Sequence, residues 1–147
     1  WVKDILHGRW NIKETAKKIL GAAVRVECNS VGIETGALRN AILPYLEDEM
    51  RTENKWLSLI ELRHGGKKKT DRITWSLQGR MEHGQITFNP DKDWRAFKNQ
   101  MLDFPNRMAH DDLLDSLAYI DQVSVSDFAH TIELEEEWSP VDDIAGY

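Results

Sequence analysis

The apolar residues of this chain never run uninterrupted for more than four positions, and the short segments they mark switch between two periods. Val24, Val26 and Cys28 alternate with Arg25 and Glu27, the period-2 pattern of a strand with one buried face. Leu38, Ala41, Ile42, Tyr45 and Leu46 recur instead at helical spacing, as do Ile73 with Leu77 and Trp94 with Phe97, Met101 and Leu102. Strand-like and helix-like segments alternate along the chain, which implies an α/β domain with a mixed sheet flanked by helices. Runs this short provide neither a bilayer-spanning segment nor a secretory leader. The 147 residues suffice for one domain, or one domain and a tail. Because the chain starts at Trp1 rather than Met, it is expected to be part of something longer.

Local signals place the boundaries. Residues 1–6 suit a short strand closed by His7-Gly8-Arg9. Asn11 with Glu14 three positions on has the pattern of a capping box, opening a helix over residues 12–20 that Gly21 is expected to end. A strand over residues 22–28 follows, broken by Asn29-Ser30-Val31-Gly32. A helix from about Thr35 contains Pro44, which is expected to kink or split it. A strand over 56–62, the turn Gly65-Gly66, a helix over 69–80 and a short strand over 85–88 come next. Asn89-Pro90-Asp91 opens another helix, and the last begins near Asp111. Of the six tryptophans, Trp75 and Trp94 read as core.

The net charge of −6 argues at first against a nucleic-acid partner. It is unevenly spread. Residues 121–147 hold eight of the 25 acids and no Lys or Arg, giving an acidic tail of −8, whereas residues 1–120, with 17 acids against 19 bases, are +2. Within that body Arg63, Lys67, Lys68, Lys69, Arg72 and Arg80 cluster with a single acid, Asp71. The cluster reads either as a solvated loop and helix face or as a phosphate-contacting patch.

Chemistry is concentrated in His110-Asp111-Asp112-Leu113-Leu114-Asp115-Ser116-Leu117-Ala118-Tyr119-Ile120. On a helix, Leu113, Leu114, Leu117, Ala118 and Ile120 fall on one arc and Asp111, Asp112, Asp115 and Tyr119 on the other. One Asp is explained by helix capping; three on one face repel unless solvated, paired or bound to a cation. Glu27, at the carboxyl end of the strand expected over residues 22–28, is the second candidate, since ligands of open α/β sheets collect at such ends. A surface pair with Arg25 is its bland alternative, and Glu34 in the following loop is a weaker competitor. A Glu and an Asp pair would give hard divalent cations the oxygen ligands they prefer. Gly65-Gly66-Lys67-Lys68-Lys69-Thr70 lacks the spacing of an ATP phosphate loop. The single cysteine, Cys28, excludes a disulfide framework and cysteine-pair zinc sites, and the five histidines show no ligand spacing.

Five blocks occur in an order that resembles the C-terminal nuclease domain of tailed-phage large terminase subunits. They are Val26-Glu27-Cys28-Asn29-Ser30-Val31-Gly32, Lys69-Thr70-Asp71-Arg72-Ile73, Gly84-Gln85-Ile86-Thr87-Phe88, Met101-Leu102-Asp103-Phe104-Pro105-Asn106 and His110-Asp111-Asp112-Leu113-Leu114-Asp115. They span most of residues 1–120, and the acidic tail lies outside them. The resemblance implies an RNase H-like fold, a mixed central sheet flanked by helices, and endonucleolytic hydrolysis of double-stranded viral DNA with two Mg²⁺ or Mn²⁺ ions. Position by position it implies that Glu27 is the strand carboxylate, Asp112 the helix carboxylate and Asp115 an additional acidic ligand, with Asp111 a metal-proximal neighbour of open role. Lys67, Lys68, Lys69 and Arg72 would hold the DNA backbone.

The family's first ligand, an Asp on the first strand, has no counterpart here, so that strand is expected to be missing and this chain to cut poorly alone. The same resemblance implies a packaging ATPase domain in the parent protein, partnership with a small terminase subunit and a portal, and residence in the host cell cytoplasm. Two other readings share these features: a non-catalytic docking module whose acidic tail meets a basic partner, and another RNase H-like nuclease such as a junction resolvase, which cutting of branched rather than linear DNA would reveal.

Overall fold

The computed structural model describes residues 1–106 and 110–124. Their architecture is mixed α/β: helices α1 (Ile12–Arg25), α2 (Ala37–Thr52), α3 (Lys69–Glu82), α4 (Arg95–Asp103) and α5 (Asp112–Ala118) surround strands β1 (Ser30–Glu34) and β2 (Ser58–Leu62). The two strands are parallel, with Ser30 opposite Ser58 and Glu34 opposite Leu62, and α2 supplies the crossover that parallel neighbours require. The expected strands at residues 1–6 and 85–88 reduce to one parallel bridge between Val2 and Phe88. Most of the 121–147 acidic stretch, residues 125–147, lies outside the described residues. Its first acid, Asp121, belongs to the folded body, where it accepts from Ser76 Oγ at 2.6 Å and pairs with Arg80.

The largest departure from the sequence reading lies between α1 and β1. The capping box forms as expected, with Glu14 N donating to Asn11 Oδ1 at 2.9 Å and Asn11 N to Glu14 Oε2 at 3.2 Å. The helix does not stop at Gly21, however, but continues to Arg25. Ala16, Leu20 and Ala23 make one buried stripe against Ile42, Leu46, Met50 and Leu57, so the helical period wins over the alternation of residues 22–28. The end is a Schellman motif: Glu27 N bonds to Val24 O at 3.2 Å and Cys28 N to Ala23 O at 2.9 Å. Glu27 occupies the left-handed position, φ 57°, that usually falls to glycine.

The sheet separates two cores. Val31, Ile33 and Leu59 face the α1–α2 cluster. Ile73, Leu77, Phe97, Leu114 and Ala118 form the second cluster, joining α3, α4 and α5. Pro44 neither splits nor ends α2, which runs through it; it lies on the exposed side of that helix, where water can serve the carbonyl its missing N–H leaves free. Trp94 is core, as expected, but Trp75 is 66% exposed, because the inward positions of α3 go to Arg72, Ile73, Ser76 and Leu77.

Gly32 fixes how closely the strands' side chains approach each other. A Cβ there would lie 2.9 Å from Leu62 Cδ1 and 3.0 Å from Cδ2, and Leu62 is itself buried. Gly32→Ala is therefore expected to destabilise the domain by about 1–3 kcal/mol through overpacking, read as a lower urea midpoint. An unchanged midpoint would show that Leu62 has room to move.

Candidate functional site

β1 alternates its side chains between the sheet's faces. Val31 and Ile33 serve the α1–α2 core, which leaves Gly32 and Glu34 on the other face. There Gly32, Glu34 and Leu62 line an open cleft of about 480 Å³ together with Asp112, Asp115, Ser116 and Tyr119. Glu34 is the last residue of β1 and Asp112 the first of α5, so the carboxyl end of a strand and the start of a helix bring carboxylates from both to one opening.

Glu27 is not part of this opening. It lies exposed beyond the other end of β1, beside a surface depression with Val24, Asn29, Glu53, Asn54 and Lys55. The five residues of β1 lie between it and the cleft, about 16 Å of extended chain. The strand carboxylate that meets the α5 acids is Glu34, the weaker competitor of the sequence reading. The reason is the boundary described above: the strand begins at Ser30, not Ala22.

The α5 carboxylates are organised by two cations from the start of α3. Lys69 Nζ lies 2.6 Å from Asp111 Oδ1, 3.1 Å from Asp112 Oδ1 and 3.7 Å from Asp115 Oδ2. Arg72, one turn on and only 8% exposed, donates from Nε at 3.1 Å and Nη2 at 2.6 Å to Asp115 Oδ1. Its guanidinium also lies 5.1 Å from the centre of the Tyr119 ring, within cation–π range. Burial disfavours the Lys69 charge, but the hydrogen bonds to Asp111 and Asp112 outweigh it and hold the ammonium above its ordinary pKa. Asp111, at the N-cap of α5, makes no side-chain cap bond; its carboxylate is turned to Lys69 instead.

On the strand side, Glu34 Oε1 is 2.5 Å from His64 Nε2, and His64 Nδ1 is 3.0 Å from the Tyr119 hydroxyl. A neutral ring protonated at Nε2 satisfies both contacts, donating to Glu34 and accepting from Tyr119. Burial, and then the charge of Glu34, raise the pKa of the Tyr119 phenol, which keeps it a donor. The helical arc already groups Tyr119 with the acids; sequence reading missed His64, and nothing in spacing signals it, since its contact with Tyr119 joins residues 55 apart.

The basic cluster divides in two. Lys69 and Arg72 are engaged by carboxylates, and Arg80 by Asp121 and Ser76 O, so none of the three stands ready as a phosphate contact. Lys67 and Lys68 are exposed, with Lys67 Nζ 4.7 Å from the centre of the outward-facing Trp75 ring. Arg63 is exposed too, near Glu61 at 3.3 Å.

The donor set around the cleft is carboxylate oxygen, the chemistry of Mg²⁺ or Mn²⁺ rather than of zinc or copper. Among the described residues no three carboxylate, imidazole or thiol side chains converge closely enough to hold a metal ion as they stand. The place between the three Asp carboxylates is taken by the Lys69 ammonium. No helix among the described residues is long and apolar enough to cross a membrane. The chain matches no family model, no curated protein and no solved structure.

Proposed function

We propose that this chain is the body of a metal-dependent endonuclease domain of RNase H-like fold, acting on double-stranded DNA as in the terminase nucleases its sequence resembles. The observation that carries the reading is the cleft shared by Glu34 from β1 and Asp112 and Asp115 from α5. Glu34 and Asp112 would hold the ion or ions, Asp112 being the freest of the acids at 77% side-chain exposure. Asp115 lies at the rim with one oxygen committed to Arg72. A bound Mg²⁺ or Mn²⁺ pair supplies Lewis acidity to the attacking water and the leaving 3′ oxygen.

The protein's own residues do the rest. Arg72 fixes the Asp115 carboxylate, and His64 orients Glu34 through Nε2. Lys67 and Lys68 supply positive charge for a phosphate backbone. In this reading the chain works beside a packaging ATPase domain, a small terminase subunit and a portal in the host cell cytoplasm. A non-catalytic docking role draws its support from the pairing of the cluster: Lys69, Arg72 and His64 already engage Asp111, Asp112, Asp115 and Glu34 without any metal.

Asp112→Ala separates the two, because its exposed side chain leaves the core untouched. The nuclease reading expects this change to lower Mn²⁺ binding by the chain, and Mn²⁺-dependent cutting of plasmid by the parent protein, at least about 100-fold, ligands mattering no less than the groups behind them. Circular dichroism is expected to stay unchanged. Undiminished cutting by the folded variant would leave the docking role.

A further inference from the structure

We propose that Trp75 is a nucleobase-stacking platform: its outward indole, flanked by Lys67 and Lys68 and left uncovered by Gly79, takes an unpaired base of a DNA strand while the lysines hold the flanking phosphates. It rests on the DNA-binding part of the reading above, involves no metal ion, and adds the form of strand that this face takes.

A tryptophan that serves the fold looks different. Trp94 is 9% exposed, donates from Nε1 to Asn89 O at 2.7 Å and meets the Phe88 ring edge-on at 5.0 Å. Trp75 is 66% exposed, and among the described residues its ring has one aromatic or cationic partner, the Lys67 ammonium at 4.7 Å. A single exposed apolar side chain needs no explanation. This one is set apart by what surrounds it.

Gly79 lies one turn after Trp75 inside α3, where glycine is a poor helix former. Neither of the usual reasons for a glycine applies there. The left-handed position that closes α3 is filled by Gly84, φ 65°, and a Cβ at Gly79 would meet nothing within 4 Å, so no neighbour needs its backbone bare. Residues four apart share a helix face, and side chains lean towards the N-terminus. A longer residue at 79 would therefore lie over the indole. Glycine leaves that side open to a flat ligand.

The charge beside the ring suits a phosphate chain. Lys67 and Lys68 are exposed, and neither is in an ion pair among the described residues. Asp71 occupies the first turn of α3, where the helix dipole favours it, and Glu82 accepts from Gln78 Nε2 at 2.9 Å. Aromatic faces for bases and lysines for the backbone are the means by which proteins hold single strands. An acidic peptide would satisfy the lysines but not the uncovered side of the ring; an unpaired nucleotide brings a planar ring and a phosphate together. In a duplex the base faces are already covered by their neighbours, so the platform selects a single strand or a frayed end.

The test is fluorescence anisotropy of a labelled oligothymidylate, titrated in EDTA with the unaltered protein, Trp75→Ala, Trp75→Tyr, Gly79→Leu and Lys67→Gln, and repeated with an abasic strand and a duplex of equal length. Trp75→Ala is expected to lose at least about fivefold in affinity for oligothymidylate, the lower end of base–aromatic stacking, and to bind the abasic strand and the duplex as the unaltered protein does. Trp75→Tyr, which keeps a stacking face, stays within about threefold. Gly79→Leu is expected to melt higher, glycine being the worse helix former, yet to lose oligothymidylate about as Trp75→Ala does, a loss that no weakening of the fold explains. Lys67→Gln lowers the slope of log affinity on log salt by about 0.7, the share of one phosphate of a single strand. The same preference for oligothymidylate over the abasic strand in Trp75→Ala and the unaltered protein overturns the platform and leaves the nuclease reading standing. Failure of the unaltered protein to bind any strand or duplex overturns this inference and the DNA reading together.

Discussion

Asp115→Ala is expected to destabilise the domain by about 3–5 kcal/mol, the range for breaking a buried ion pair by removing one partner. The Arg72 side chain is 8% exposed and directs both Nε and Nη2 to Asp115 Oδ1. Without that oxygen the guanidinium keeps the Tyr119 ring face at 5.1 Å, which does not accept its hydrogen bonds. The penalty comes from an uncompensated buried charge rather than from lost attraction, and two further variants separate those terms. Asp115→Asn, which keeps an acceptor but not the charge, is expected to cost less than Asp115→Ala. Replacing both partners together, Arg72→Met with Asp115→Leu, is expected to recover most of the loss, because apolar pairs of similar volume can replace buried ion pairs at little cost. Urea unfolding at constant slope measures all three. A shift below about 1 kcal/mol for Asp115→Ala, the size seen for exposed pairs, would mean that water reaches Arg72. The pairing also makes Asp115 a poor probe of chemistry, since its loss disturbs the fold first.

How far the sequence could be read depends on whether one period or two fit a segment. Helix α3 was legible from Ile73 and Leu77 and helix α5 from its leucines, because no alternation competes there. Residues 22–28 satisfy two patterns at once: Val24, Val26 and Cys28 alternate, while Ala23 continues the Ala16–Leu20 stripe. What decides is α2, whose Ile42, Leu46 and Met50 meet that stripe, and a single sequence does not show the meeting. Glu27 added to the error, since its left-handed φ stands where glycine would have announced a helix end. The candidate site was half legible for the same reason. Asp111, Asp112 and Asp115 share a helix and could be grouped by angle alone. Glu34 entered only as a loop residue, and the cations that complete the cluster, Lys69 and Arg72, read as phosphate contacts because their partners lie 43 residues downstream. Trp75 was assigned to the core by its residue type, although Arg72 takes a buried position on the same helix by virtue of Asp115.

The two glutamates give the sharpest separation of the sequence-based site from the structural one. Glu34→Ala is expected to reduce Mn²⁺-dependent cutting by the parent protein at least about 100-fold, and Mn²⁺ binding by the chain in parallel, as for loss of a metal ligand. Its side chain is about half exposed and its hydrogen-bond partner is His64, itself half exposed, so stability should move by no more than about 1 kcal/mol. The matching change at the other glutamate is Glu27→Gly. Glycine adopts φ 57° without the steric cost of a Cβ, a relief of about 1 kcal/mol, and it preserves the backbone bonds from residues 27 and 28 that close α1. This variant is expected to melt higher and to cut as before, because nothing at the far end of β1 reaches the cleft. The two outcomes have opposite signs in stability and differ by two orders of magnitude in activity, so one pair of proteins decides between the assignments. Loss of cutting in a stabilised Glu27→Gly protein would return the strand carboxylate to Glu27 and require β1 to pair in a different register from the one that sets Glu34 opposite Leu62.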